Sequence, residues 1–126
     1  MNSTETARAA LSLMRKLFPA YFRDMSRDEG VKMLEAWSEQ LKGVPEDSVL
    51  DAIYRISKKQ RYAPYIPEVF AELRDRLEVA DAKIAMHDSW TSHGIESPYT
   101  EEQIAEERRI SAALSEVLIK PKAGGD

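Results

Sequence analysis

Arg61-Tyr62-Ala63-Pro64-Tyr65-Ile66-Pro67-Glu68-Val69-Phe70 lies near the middle of the 126-residue chain, and it has to be a turn. Its two prolines fix φ at their own positions and push Ala63 and Ile66 out of the α region. A helical pattern runs up to the stretch and another leaves it, so the turn sets the angle between two helices. Pro67 suits the first position of the second helix, where the N–H it lacks has no intrahelical partner anyway. Tyr62, Tyr65 and Ile66 make the turn apolar, and we read them as an aromatic wedge packed between the helices.

Upstream, three helices are expected. The first is capped by Ser3 or Thr4 and carries Ala7, Ala10, Leu11, Met14, Leu17 and Phe18 at helical 3–4 spacing. Pro19 ends it, and Ala20-Tyr21-Phe22-Arg23-Asp24-Met25 is an aromatic connector expected to pin one end of the core. Ser26-Arg27-Asp28-Glu29 is a capping box. It opens a second helix with Val31, Leu34, Trp37 and Leu41 on its apolar stripe, and Gly43 stands where a C-terminal glycine belongs. Pro45-Glu46-Asp47 then opens a third, with Val49, Ile53 and Ile56 facing the core. Its cationic end, Lys58-Lys59-Gln60-Arg61, leads into the turn.

Downstream, a fourth helix is expected from Pro67 through Phe70, Leu73, Leu77, Ala80 and Ile84, as far as Met86. Glu72 and Arg76 read as an i,i+4 pair on its outer face. Residues 88–99 form a polar linker punctuated by Gly94 and Pro98. Thr100-Glu101-Glu102-Gln103 is a second capping box, starting a helix over 100–119. Residues 120–126 read as a disordered tail. The domain organisation is therefore a helical bundle over 1–87, a linker, and a C-terminal helix. The fold class is all-α, four or five helices with a mobile C-terminal segment.

Composition narrows the function. Hydrophobic residues at 43% and charged residues at 32% describe an ordinary globular chain. The absence of cysteine excludes disulfides, thiol catalysis and the usual structural zinc sites, and fits a cytoplasmic location. No apolar run approaches the roughly 18 residues of a membrane span. The net charge of −4 divides as +2 over residues 1–62 and −6 over residues 63–126.

Motifs for chemistry are missing. There is no phosphate loop, no dinucleotide fingerprint and no His-Glu-x-x-His, so no cofactor is expected. His87 and His93, beside Asp88 and Glu96, lack the spacing of a zinc site and read as solvated loop residues. Asp47/Asp51 and Glu102/Glu106 lie one helical turn apart, as carboxylates on solvated faces commonly do. The chain reads as a non-enzyme. Arg55, Lys58, Lys59 and Arg61 cluster beside Tyr62 and Tyr65 and offer phosphate contacts with base stacking. Equally, they complement a helix C-terminus. Trp37 belongs to a core stripe, whereas Trp90 in a polar stretch either folds back or meets a partner.

An ordered set of markers carries a resemblance. It consists of Leu17-Phe18-Pro19-Ala20-Tyr21-Phe22, then Leu34 and Trp37, then Val49, Ala52, Ile53 and Tyr54, and finally Tyr62-Ala63-Pro64-Tyr65-Ile66-Pro67-Glu68-Val69. Over about residues 5–85 the chain resembles the N-terminal domain of phage replicative helicase loader-and-inhibitor proteins. In one respect it departs from them: the family favours two adjacent prolines followed by threonine, where Tyr65-Ile66 here separates Pro64 from Pro67. The resemblance implies a non-enzymatic DNA-replication protein that binds a hexameric replicative helicase. It implies too that the protein inhibits the helicase, works with an origin-recognition protein and helps load the helicase at the origin. The C-terminal segment makes the helicase contact in such proteins.

Physically, that contact is expected as helix-in-groove docking. Trp90, Ile104, Ile110, Leu114, Val117 and Leu118 are the apolar anchors, with Glu102 and Glu106 setting register against a basic partner surface. Packing of this helix onto the first four is the competing arrangement. Two other functions fit the same residues. One is a small acidic inhibitor or adaptor that occupies the nucleic-acid-binding surface of another host protein. The other is weak direct DNA binding through Arg55, Lys58, Lys59 and Arg61.

Overall fold

The computed structural model describes residues 3–118, and the protein is all-α. Six helices, and no strand, are found among the described residues: α1 (Ser3–Leu17), α2 (Pro19–Phe22), α3 (Arg27–Gln40), α4 (Glu46–Ser57), α5 (Ile66–Ser92) and α6 (Glu101–Leu118). The expected tail over 120–126 lies outside the described residues, as does residue 119. The chain divides into two compact units, Met1–Leu73 and Arg74–Asp126. None of the helices is long and apolar enough to cross a membrane.

The first unit is built on α1, which packs against both α3 and α4. Ala7 and Ala10 are fully buried and Met14 follows one turn on, so small side chains meet the neighbouring helices before a flexible one fills the remaining gap. Ser3 and Thr4 lie inside α1 rather than ahead of it as caps. Pro19 ends α1 as expected, but the connector is itself a one-turn helix with Pro19 at its first position. Phe18 before it is buried, whereas Tyr21 is exposed and stacks edge-on to Phe22 at 5.1 Å. The connector therefore pins the core through Phe18 and not through Tyr21.

The α3 capping box is complete. Ser26 Oγ accepts from the Glu29 N–H at 3.1 Å, and Glu29 Oε1 accepts from the Ser26 N–H at 2.8 Å. Trp37 and Leu41 are buried as the stripe requires, and Gly43 takes φ 81° to end the element. Val31, expected on that stripe, is exposed instead. In α4, Val49, Ala52, Ile53 and Ile56 all point inward.

The double-proline turn is where the expectation fails most plainly. Ala63 and Pro64 are buried, but Tyr62 is 59% and Tyr65 66% exposed. No aromatic wedge exists, because the small alanine and the ring of Pro64 already fill the space and the tyrosines are turned out. The turn hands over to α5 through Glu68, whose Oε1 accepts from the Tyr65 N–H at 2.8 Å. One otherwise unpaired donor at the helix start is thereby satisfied.

In the second unit α5 runs past Met86 to Ser92, so residues 88–92 of the expected linker are helical. What ends the helix is Gly94 at φ 73°. The Ile95 N–H donates to the Trp90 carbonyl at 2.8 Å and the Gly94 N–H to the Thr91 carbonyl at 3.1 Å, the two bonds of a Schellman motif. The Thr100–Gln103 capping box then starts α6, with reciprocal bonds of 3.0 and 2.8 Å.

A Cβ at Gly94 would meet nothing within 4 Å, so its substitution isolates the backbone cost. Gly94→Ala is expected to lower the stability of the second unit by about 1 kcal/mol, the penalty of a left-handed alanine. Hydrogen exchange of the α5 and α6 amides measures it; unchanged protection would contradict the cap assignment.

Candidate partner-binding surface

Within the second unit, α6 is fastened to α5 by side chains that sequence periodicity had treated as exterior. Glu107 lies between the buried Ile104 and Ile110 on α6. Arg76 on α5 meets it with both guanidinium ends, Nη1 donating to Oε1 at 2.8 Å and Nη2 to Oε2 at 3.0 Å. Both side chains are nearly out of solvent, at 13% and 11% exposure, and Lys83 Nζ approaches the same carboxylate at 3.8 Å. The expected Glu72–Arg76 pair is not formed. Glu72 instead accepts from Lys59, in the segment after α4, at 2.5 Å, because Glu72 lies buried and not on the outer face of α5.

Further ties follow along the pair of helices. The Ser111 hydroxyl donates to Asp81 at 2.5 Å and Arg108 to Asp88 at 2.8 Å. His87 is buried, not a solvated loop residue. Its Nδ1 lies 2.7 Å from Ser97 Oγ, and its Nε2 lies 3.5 Å from a carboxylate oxygen of Glu101. Ser97 Oγ also accepts from the Tyr99 N–H at 3.1 Å, so the histidine holds the loop that leads into α6. His93 is engaged separately, with Nδ1 2.7 Å from the Ser89 carbonyl. Among the described residues no group of three or more His, Asp or Glu side chains is placed to hold a metal ion.

The proposed anchors therefore fall into two sets. Ile104, Ile110 and Leu114 are buried inside the second unit, and Val117 and Leu118 are half-buried. Glu102 and Glu106 remain exposed. Arg109 donates to both oxygens of Glu106, at 3.0 and 2.6 Å, and that hydrogen bonding holds the Glu106 carboxyl below the ordinary carboxylate range. Its charge is already answered within its own helix. Trp90 stays at the surface, at 36% exposure.

Trp90 does not stand alone. Val79 and Met86 are also exposed, and positions 79, 86 and 90 fall on one side of a helix. Ile95, just past the Schellman turn, is exposed as well, and Tyr99 brings its hydroxyl to 3.9 Å from Met86 Sδ. This second apolar line is displaced around α5 from the buried one of Leu77, Ala80 and His87. It was missed because a search for one core stripe passes over three residues spaced along another face.

In the first unit the basic cluster is largely spent. Arg55 donates to Asp51 at 2.8 Å, Lys59 serves Glu72, and Lys58 sits 4.8 Å from the centre of the Tyr54 ring. Arg61 is left exposed beside Tyr62. Cations held by carboxylates release fewer counterions to a phosphate backbone, which weakens the case for this patch as a DNA grip.

No protein-family profile, no curated protein and no solved structure matches the chain.

Arg76→Ala is expected to destabilise the second unit by about 3 kcal/mol, because it leaves a largely buried carboxylate with only the distant Lys83. Replacing Arg76 and Glu107 together by methionine should cost much less. Chemical unfolding followed by hydrogen exchange in α6 separates the two outcomes, and equal losses would mean that the pair acts through packing alone.

Proposed function

We propose that this chain is a non-enzymatic DNA-replication protein of the phage helicase-loader kind, acting in the host cytoplasm on a hexameric replicative helicase. The observation that carries the reading is the exposed line of Val79, Met86 and Trp90, with Ile95 beside it, on a unit whose α6 residues Ile104, Ile110 and Leu114 are already buried. An apolar strip of this kind, left open along a stable helix, is the ordinary signature of a protein contact. The markers from Leu17 to Val69 supply the class of partner through the resemblance they carry. The acidic character of residues 63–126 adds steering towards a basic partner surface.

In this reading the strip on α5 takes over the role first given to α6. The protein seats Trp90 and Met86 in an apolar recess of the helicase, holds the ring inactive, and releases it where an origin-recognition protein directs. Any nucleotide chemistry belongs to the helicase. The inhibitor alternative uses the same acidic unit against another host protein's nucleic-acid surface, and differs in being competed by DNA.

Light scattering on a size-exclusion column, with the full chain mixed with the cognate helicase and with or without ATP, tests this. A complex should form, and Met86→Asp with Trp90→Asp should weaken it at least about tenfold, as loss of a central aromatic anchor does. Absence of any complex, or one indifferent to both substitutions, overturns the proposal.

A further inference from the structure

A groove of about 430 Å³ opens on the first unit between α1, the short α2 and the start of α3. Its apolar surface comes from Leu11, Phe22, Met25, Met33 and Leu34. Three cations, Arg8, Arg15 and Arg27, stand around it, and no Asp or Glu lines it. Among the described residues none of these three guanidinium groups makes a hydrogen bond or ion pair. Arg8 also lines a neighbouring depression with Glu5 and Glu46, so Arg15 and Arg27 are the groove cations with no carboxylate beside them in either lining. In a chain of net charge −4 this is a local positive island around an apolar trough.

Gly30 lines the same trough. It lies within α3, where glycine is a poor helix former, and a Cβ there would come no nearer than 4.0 Å to another side chain, Met25 Sδ. Space inside the helix core therefore does not require the glycine. Its effect is to keep the wall of the groove low. The amino end of α3 is closed by its own capping box, so attraction for an anion falls to the arginine side chains rather than to free backbone N–H groups.

We infer that this groove receives an acidic amphipathic helix of a partner protein, its apolar face on the Leu/Phe/Met floor and its carboxylates on Arg15, Arg27 and Arg8. Charge complementarity selects the occupant. Guanidinium forks without internal partners bind carboxylates in bidentate fashion, and at a partly desolvated edge that bond is stronger than at an open surface. The two methionines suit a helical ligand, since thioether chains adapt to differently shaped apolar side chains. A nucleic acid strand fits less well, because the floor offers one half-buried phenylalanine rather than a run of open aromatic faces. The inference concerns the first unit only and does not depend on the helicase reading, whose proposed contact uses residues 79–95.

A randomised library of helical peptides, selected on the immobilised full chain, supplies the probe. Enriched peptides should carry apolar residues at i, i+3 or i+4, and i+7, with Asp and Glu beside them. Fluorescence anisotropy of an enriched peptide should then show binding at least about tenfold weaker to the Arg15→Glu/Arg27→Glu chain. Gly30→Leu, which fills the trough while leaving every charge in place, should weaken it comparably, with circular dichroism confirming that both variants keep their helices. No enrichment, enrichment of neutral or basic peptides, or binding indifferent to either variant overturns the inference. So does displacement of the peptide by a single-stranded oligonucleotide that binds the same arginines.

Discussion

The bidentate pair between Arg76 and Glu107 fixes what the second unit can do. A carboxylate set between Ile104 and Ile110 cannot be left in an apolar seam without its cation, since the desolvation penalty of a lone buried ion exceeds what neighbouring apolar contacts return. Once Arg76 reaches across to it, α6 has a defined place against α5, and Ile104, Ile110 and Leu114 turn inward with it. The ionic contact thus specifies the seam that the apolar residues stabilise. A consequence follows for binding: a partner wanting those three side chains would have to break the pair, so the strip on the outer side of α5 is the cheaper surface to recruit.

Much of the fold was legible because local chemistry marks boundaries. Pro19, Ser26-x-x-Glu29, Gly43, Pro45 and Thr100-x-x-Gln103 each act on backbone groups within a few residues, and each does in the structure what its chemistry requires. The end of α5 was equally legible in principle. Gly94, like Gly43, takes a positive φ, but the polar run Asp88-Ser89 ahead of it hid the fact that the helix was still continuing. Composition argued for a linker, and one left-handed glycine with two backbone bonds outweighed it.

What could not be read was which way amphipathic residues face. Tyr62 and Tyr65 satisfy the demand for apolar surface at the turn only if no smaller group fills the space first, and Ala63 with Pro64 does so. Val31 sits at helical spacing from Leu34, yet no neighbouring element covers it. His87 in a polar stretch looked solvated because its partner Ser97 is ten residues away, across a turn whose path the sequence leaves open. In each case the deciding contact is non-local, and periodicity carries only local information.

The same distinction bears on the markers that give the resemblance. Phe18, Trp37, Val49, Ala52, Ile53, Ala63 and Val69 are buried, so packing alone accounts for them, and they say nothing of a partner. Tyr21, Tyr54, Tyr62 and Tyr65 are exposed. A large aromatic ring held in water gains nothing from the core, so a packing account stops at these four residues. The binding surfaces proposed above lie elsewhere, in the exposed strip on α5 and in the arginine-rimmed groove of the first unit. Buried residues account for how the chain folds, and what it meets has to be read from its exterior, residue by residue.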